Sequence, residues 1–387
     1  MNRIILVGNG FDLAHNLPTK YEDFIYWYLD ARIEKLKNED SNISKDVLCT
    51  FELEKSSLYE TWTDFFSTTK DSSFLSNSID ILNYFAKNNR VFATEFTPLF
   101  KRIFLSFQTK GWVDVENEYY NLLLSFLKVP KYSNPKELND ELDFIKSKLI
   151  EYLTNVQNEK NNEEILNDGI RKKIFEPFNK DDMSILALDY YNHLPQYTLL
   201  NASKITREMR FRDNKHPFPD HILILDFNYT KTADMYLKYD RSLIVNHIHG
   251  NLDKPDSVIF GYGDELDENY KELSRLNDNE YLHNSKSIKY LESDNYRKVL
   301  SFIESEQYQI YIMGHSCGNS DGTLLNTLFE HKNCASIKPF YYKSKEGNDN
   351  YLDIVQNISR NFTDMKLMRD RVVNKIFCEP LPQNTHK

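Results

Sequence analysis

The stretch that most constrains the fold is a strand, a glycine turn and a helix start within the first fifteen residues. Residues 4–7 are apolar and mostly β-branched, and their short run suits a buried central strand better than a helix. Gly8 and Gly10 interrupt this run, and a helix can begin at Phe11. Such a turn directs backbone N–H groups into a concavity that suits phosphate, which predicts a nucleotide site. A turn without a ligand is the alternative, because Leu13 replaces the third glycine of the dinucleotide fingerprint.

Short apolar strands alternate with helical segments in the second half of the chain. The candidate strands are 222–227, 243–248, 258–260, 308–313, 337–342 and 373–377. Helices are predicted at 324–330 and around 351–361, and a charged helical segment at 266–306. Strands that alternate with helices are typical of a doubly wound sheet. We therefore predict an α/β fold with a mostly parallel, Rossmann-like sheet.

A long region of helical periodicity separates the first strand from the others. Apolar and charged residues recur at helix-like spacing near 57–70, 73–88, 91–128 and 136–157. We predict an α-helical insertion over residues 20–215 and a nucleotide-binding domain made of residues 1–19 and 216–387. A basic cluster at 204–215 is expected to be a solvated helix face, with phosphate contact as the alternative.

Glycine or polar clusters follow five successive strand candidates. Ligands of doubly wound sheets bind beyond the carboxyl ends of the strands, so these clusters predict one lined cleft. The residues that we assign to cofactor binding are Gly8, Asn9, Gly10, Phe11, Asp12, Gly314, His315, Ser316 and Asp321. Asn228 and His249 are the catalytic candidates, because an amide can orient a water or a ribose hydroxyl and an imidazole can act as general base. A helix N-cap is the alternative role for Asn228.

Two motifs at these strand ends suggest other hydrolase chemistry. His247 and His249 lie two residues apart on a strand, as in a metal site, but further ligands at set spacing are not evident and no metal is expected. The pattern Gly-x-Ser-x-Gly around Ser316 matches a nucleophile elbow, although the acid and histidine partners do not follow in order. A nuclease that uses His247, His249 and Asp264, or a serine hydrolase that uses Ser316, remains an alternative.

Charge and cysteine content limit the class of protein. The formal net charge of −10 argues against broad binding to nucleic acid or to a membrane surface. The four cysteines include no C-x-x-C pair, so neither a zinc ribbon nor a disulfide framework is indicated. No apolar run approaches the ~20 residues of a membrane span, and no signal peptide is evident. We expect a cytoplasmic protein whose partner is a small nucleotide.

In this order, the motifs resemble those of the bacteriophage abortive infection AbiH family. The matching stretches are Val7–His15 with Leu17–Thr19, Phe227–Thr230, His247–Gly250, Ile259–Gly261, Met313–Ser316 and the pair Ser320 and Asp321. This resemblance spans nearly the whole chain and implies a phage-defence effector.

More remotely, the same order is similar to the sirtuin-like Rossmann fold of NAD-consuming anti-phage effectors. The resemblance implies that the glycine turn holds the dinucleotide, that Asn228 lies by the nicotinamide ribose and that His249 is the general base. It also implies that the Gly314–Ser316 turn lies near the adenosine ribose. The chain departs from this pattern at Thr230, where sirtuin-like proteins carry Asp, and it lacks the zinc ribbon of protein deacetylases. The resemblance therefore favours hydrolysis of NAD at the nicotinamide–ribose bond over deacetylation.

A non-catalytic nucleotide-binding sensor is the alternative from a different class. In that hypothesis the helical insertion contacts a phage-derived or host protein, and Thr230 in place of Asp is consistent with it. The sequence leaves the oligomeric state open, including a homo-oligomer.

Overall fold

The structure is a computed structural model that describes most of the chain. The described residues are 1–54, 59–70, 72, 77–110, 114–128, 134–160, 165–194, 217–263 and 268–384. The predicted basic cluster at 204–215 lies outside them. The chain divides into two compact units, which we call the sheet unit (Met1–Thr19, Leu153–Leu276 and Asn284–Lys387) and the insertion unit (Lys20–Tyr152 and Asn277–His283).

The elements of the described chain are numbered in chain order. The strands are β1 (Asn2–Val7), β2 (Ile43–Lys45), β3 (Cys49–Leu53), β4 (Phe92–Phe96), β5 (Ile222–Asp226), β6 (Leu243–His247), β7 (Tyr308–Met313) and β8 (Cys334–Phe340). The helices are α1 (Asn9–Ala14), α2 (Tyr21–Lys37), α3 (Trp62–Thr69), α4 (Ser78–Lys87), α5 (Pro98–Lys110), α6 (Val115–Lys128), α7 (Pro135–Glu159), α8 (Asp168–Ile174), α9 (Leu188–Asn192), α10 (Glu268–Arg275), α11 (Lys286–Lys289), α12 (Asn295–Ser305), α13 (Gly322–Glu330), α14 (Tyr351–Arg360) and α15 (Met365–Arg371).

A five-stranded parallel sheet forms the sheet unit, in the order β6-β5-β1-β7-β8. Every residue of β1 is buried. Ile4 and Leu6 pack into one hydrophobic core, whereas Ile5 and Val7 pack into a second core. Burial on both faces explains why residues 4–7 of this strand form a continuous apolar run rather than an alternating pattern. The predicted α/β class with a mostly parallel, Rossmann-like sheet is confirmed.

The strand order reverses direction at β1, which lies between β5 and β7. In doubly wound sheets this point of reversal opens a crevice beyond the carboxyl ends of the strands. The loops that follow β1, β5, β6 and β7 are therefore the ones expected to line a functional site.

The region between β1 and β5 differs from the predicted α-helical insertion in two respects. Helix α8 packs Ile170 and Ile174 into the core against β1 and β5, and the Arg3 guanidinium donates to the Ile174 carbonyl oxygen at 3.0 Å. The segment Leu153–Leu276 therefore groups with the sheet unit, whereas the helical periodicity predicted an insertion that continues to 215. An amphipathic pattern shows that a helix has an apolar face but not which core receives it.

The insertion unit contains an antiparallel sheet, β2-β3-β4, beside its helices. Strand β4 lies in a segment that was predicted to be helical. Its pairing with β3, which places Phe96 opposite Cys49, is a non-local interaction that a local periodicity window does not contain. Trp62, Phe65 and Phe85 form an aromatic core in this unit.

Two predicted strands are wrong, and several predicted elements are confirmed. Residues 258–260 and 373–377 form no strand: Val373 N–H bonds to the Ile337 carbonyl, and a 3₁₀ turn follows at Lys375–Phe377. Helices α13 and α14 lie where the sequence predicted them. The predicted helical segment at 266–306 consists of shorter helices, α10 to α12. Within the described ranges, no helix is both long enough and apolar enough to cross a membrane.

Candidate functional site

The loops after β1 and β7 contact each other backbone to backbone. Gly10 N–H donates to the Gly314 carbonyl oxygen at 2.9 Å, and Phe11 N–H donates to the Gly8 carbonyl oxygen at 2.8 Å. Gly314 has a φ of +79°, and a Cβ there would lie 2.1 Å from the Phe11 nitrogen. A Cβ on Gly8 would lie 2.9 Å from the His315 Cα. The glycines are therefore required by the contact between the two loops, and two amides of the predicted phosphate cradle already bind protein carbonyls.

The side chains of Asn9 and Phe11 have protein partners. Thr19 Oγ1 donates to Asn9 Oδ1 at 2.6 Å, which ties the turn to the segment before α2. Phe11 is fully buried in the core and lies 4.6 Å from the His15 ring and 6.0 Å from the Tyr236 ring, centroid to centroid. A ligand at this turn would therefore meet the backbone of Phe11 rather than its ring.

Asp12 is a buried carboxyl at the start of the sheet crevice. Thr230 Oγ1 donates to Asp12 Oδ2 at 2.7 Å. Burial and the nearby negative charge of Asp226 raise the pKa of Asp12 to about 7. Thr230, which stands where sirtuin-like proteins carry Asp, is thus paired with a carboxyl group supplied by the first turn.

Asn228 links the end of β5 to the glycine turn. Its Nδ2 donates to the Gly8 carbonyl oxygen at 3.0 Å, and its backbone N–H donates to Asp226 Oδ1 at 2.9 Å. The 3₁₀ helix that follows, Ala233–Tyr239, has Thr232 at its N-cap position. The alternative role of Asn228 as a helix N-cap is therefore wrong.

His247 lies between two carboxylates and is not placed to ligate a metal. Its Nδ1 lies 3.2 Å from Asp226 Oδ2 and its Nε2 lies 3.2 Å from Asp234 Oδ2. Burial alone would lower the pKa of His247, but the two carboxylates raise it to about 10. A protonated imidazole has no lone pair for a metal. Across the part of the chain that the structure describes, no group of three His, Cys, Asp or Glu side chains is arranged so that it could hold a metal ion. Asp264 of the nuclease alternative lies outside that part.

A buried polar cluster, which we call the Asp321 cluster, lies at the ends of β6 and β7. Asp321 Oδ1 lies 3.0 Å from Lys286 Nζ and 3.3 Å from His249 Nε2, and its Oδ2 lies 3.5 Å from His315 Nε2. The Tyr290 hydroxyl lies 3.1 Å from His249 Nε2. The structure thus brings His249, His315 and Asp321 together, as three members of the predicted cleft.

The charges of this cluster are set by one lysine. Burial alone would raise the pKa of Asp321, but the ammonium of Lys286 and the two imidazoles hold it well below its usual range. Burial and the positive charge of Lys286 lower the pKa of His249. At neutral pH the cluster therefore contains an ionised Asp321 and a neutral His249.

The contacts of His249 indicate which of its nitrogens carries the proton. Nε2 faces both the Asp321 carboxylate, which only accepts hydrogen bonds, and the Tyr290 hydroxyl, which can accept one. We therefore assign the proton to Nε2, because this tautomer satisfies both contacts. Nδ1 then holds a lone pair, and among the described residues it has no hydrogen-bond partner. The Phe227 ring packs edge-on against the His249 imidazole at 5.2 Å. This arrangement gives an oriented imidazole that can accept a proton at Nδ1.

His315 has a positioning role in the same cluster. Its Nδ1 accepts a hydrogen bond from the Cys317 N–H at 3.0 Å, so its proton lies on Nε2, toward Asp321. Both of its nitrogens are therefore engaged with protein. The imidazole also contacts the Phe227 ring at 4.1 Å, centroid to centroid.

Ser316 is not arranged as a nucleophile elbow. The residue is exposed, and its carbonyl accepts a hydrogen bond from Asn357 Nδ2 at 2.8 Å. The left-handed backbone of this turn falls on Cys317, with a φ of 55°, and not on the serine. His331, which follows in the chain, contacts Glu304 at 3.2 Å. The described geometry therefore gives the serine-hydrolase alternative no support.

Sequence reasoning missed Lys286 and Tyr290, which complete the cluster. Both lie in the charged segment that was predicted only as helix. A β-bridge between Tyr262 and Ser285 brings this segment to the cleft, and Lys286 N–H donates to the Tyr262 carbonyl oxygen at 2.6 Å. A single non-local bridge of this kind has no signal in the sequence.

Comparison with known proteins gives one match. The family model described as "Bacteriophage abortive infection AbiH" matches residues 4–343. No curated protein and no solved structure shows significant similarity to the chain.

Proposed function

The chain belongs to the bacteriophage abortive infection AbiH family, and we propose that it acts by binding NAD at the carboxyl edge of its sheet and hydrolysing the nicotinamide–ribose bond. The match covers residues 4–343, which include every predicted site residue. Family membership supports a role in phage abortive infection. Loss of NAD would stop the metabolism of an infected cell, which is consistent with that role.

The observation that carries this proposal is the state of His249. Its imidazole is buried, neutral at neutral pH and oriented by Asp321, with Nδ1 available to accept a proton. A general base needs a lone pair, a fixed direction and a pKa not far from the operating pH. Together with a crevice at the reversal of strand order, these properties favour base-assisted hydrolysis of a bound nucleotide.

In the proposed step, water attacks C1′ of the nicotinamide ribose. His249 Nδ1 takes a proton from that water as the new C–O bond forms. The C–N bond to nicotinamide breaks, and its electron pair neutralises the pyridinium nitrogen. The products are nicotinamide, ADP-ribose and one proton, which His249 releases to solvent.

Asn228 is proposed to position the reacting groups. Its Nδ2 holds the Gly8 carbonyl, which fixes the direction of the amide. The oxygen of the same amide would accept a hydrogen bond from the attacking water or a ribose hydroxyl. Orientation of this kind lowers the entropic part of the barrier.

The first test measures nicotinamide release from NAD by chromatography, with purified protein and no added metal. We expect release by the wild type and a loss of about 100-fold or more in the His249→Ala variant, as for removal of a general base. Asn228→Ala should also lose activity, whereas His331→Ala, which changes a histidine that contacts Glu304, should not. The proposal would be contradicted if the wild type released no nicotinamide, either as purified protein or in lysate of infected cells, and if cellular NAD did not change during infection.

A non-catalytic nucleotide sensor is the second candidate. It is favoured by the small exposure of His249, 4%, which limits the access of a substrate to this imidazole. Calorimetric binding of NAD without release of nicotinamide would support this candidate and not the hydrolase.

A further inference from the structure

We propose that Lys286 is a positioning residue for the base. Acting through Asp321, it keeps the His249 imidazole neutral with its proton on Nε2. This inference rests on the proposed function for its catalytic meaning. The effect of Lys286 on the protonation of His249 is a property of the folded protein, however, and can be tested without turnover.

Lys286 is held firmly in place for a residue with such a long side chain. It is 1% exposed, and its Nζ lies 3.0 Å from Asp321 Oδ1. Its backbone N–H bonds to the Tyr262 carbonyl, and a Cβ on Gly263 would lie 2.9 Å from the Lys286 Cβ. The ammonium therefore reaches Asp321 from a fixed backbone rather than from a mobile loop.

Charge balance gives the lysine its function. Among the described residues, the titratable or charged groups around the His249 ring are Lys286, Asp321, His315 and Tyr290. A buried carboxylate needs a compensating positive charge, because an unpaired buried charge is costly. Lys286 supplies that charge permanently, so His249 does not have to become protonated to neutralise Asp321.

Removal of Lys286 and removal of the Asp321 carboxylate should shift the protonation equilibrium of His249 in opposite directions. Without Lys286, the uncompensated carboxylate of Asp321 would favour the protonated form of His249, which raises the pKa of His249. Without the Asp321 carboxylate, His249 loses the one ionic partner among the described residues that favours its protonated form, which lowers its pKa. If Lys286 served only for packing, its removal would not raise the pKa of His249, whereas removal of the Asp321 carboxylate would still lower it.

The experiment is an NMR titration of the imidazole signals of the full chain labelled with ¹⁵N at histidine, assigned with His249→Gln. We expect the pKa of His249 to rise by about one pH unit or more in Lys286→Met and to fall in Asp321→Asn. Lys286→Arg keeps the charge and should restore the wild-type value. Lys289→Met, three residues along the same short helix, is the matched control and should leave the titration unchanged.

The outcomes separate this inference from the proposed hydrolase. Shifts of opposite sign in the pKa of His249 support the proposed role of Lys286 even if no nicotinamide is released. In that case only the proposal of NAD hydrolysis is contradicted. If the pKa of His249 is unchanged in both variants, or shifts with the same sign in both, the proposed role of Lys286 is overturned even if NAD is hydrolysed. If circular dichroism shows that Lys286→Met does not fold, Lys286→Arg and Asp321→Asn provide the test. The inference is then overturned if the pKa of His249 in Lys286→Arg differs from the wild-type value, or if its pKa in Asp321→Asn is unchanged.

Discussion

Asp12 and Asp321 are two buried carboxyl groups at one sheet edge, and below neutral pH the first is mainly protonated whereas the second is ionised. Asp12 is close to the negative charge of Asp226 and tends to remain protonated, whereas Asp321 is close to Lys286 and is ionised. Environments that push the pKa values of like groups apart often mark acid and base roles in an active site. The sequence identifies both residues, because each follows a strand, but it does not contain their charge states. Those depend on Asp226 and Lys286, which are distant from them in the chain.

The charge state of Asp12 predicts how stability depends on pH. The pKa of its carboxyl is about 7 in the folded protein, against 3.8 for an unperturbed aspartate. The folded state therefore binds more protons between these values, and this group destabilises the fold as pH rises from about 4 to 7. Asp12→Asn removes this dependence, so its stability relative to the wild type should increase over the same window, by up to about 4 kcal/mol.

Urea unfolding at pH 4, 5.5 and 7.5 measures this effect. Asp256→Asn, at an exposed position, is the control and should show no such trend. A constant difference between Asp12→Asn and the wild type at all three pH values would show that Asp12 is ionised in the fold.

At the scale of elements, the sheet was predictable and the contacts between its loops were not. Strands β1, β5 and β7 are buried along their whole length, and each contains a short apolar stretch that is visible in the sequence, at residues 4–7, 222–225 and 310–313. Strand β4 carries no such run, because its exposure varies along its length and its partner is distant. The glycine turn was recognised, but its glycines serve the contact with Gly314, which no spacing rule describes.

Gly314 and Gly347 give a matched pair of substitutions for this contact. Both have a positive φ, +79° and +92°, but a Cβ on Gly314 would meet the Phe11 nitrogen, whereas Gly347 has nothing within 4 Å. Gly347→Ala should therefore cost only the backbone strain, about 1–2 kcal/mol. Gly314→Ala should add a steric clash and cost about 3 kcal/mol or more, or prevent folding. Equal midpoints in thermal unfolding would show that the two loops are not in contact.

At the scale of the whole molecule, the chain contains separate hydrophobic cores. The insertion unit buries Trp62 completely, with the Phe85 ring at 5.3 Å, whereas the sheet unit buries Ile310 between its strands and helices. Sequence periodicity indicated two regions but placed the later boundary at 215, since a helix pattern does not reveal which core the helix joins. Units with their own cores can unfold as separate cooperative transitions.

Calorimetry of two variants tests this independence. Trp62→Ala should leave a large cavity that lowers the free energy of unfolding of the insertion unit by about 3–5 kcal/mol, and the midpoint of its transition should fall by several degrees. Ile310→Ala should lower the midpoint of the other transition. If each variant shifts a single common transition, the two units unfold together.

The position of β1 also determines when the sheet can be completed during synthesis. This strand leaves the ribosome before its neighbours β5 and β7, which follow only at residues 222 and 308, and Asp321 is later still. Pairing over such distances is slow, and an apolar strand that waits for its partners is a natural client for chaperones. An incomplete chain, cut short before residue 321, lacks both the complete sheet and the carboxylate that orients His249. For a protein of abortive infection, this order of assembly would confine toxicity to molecules whose synthesis has passed residue 321.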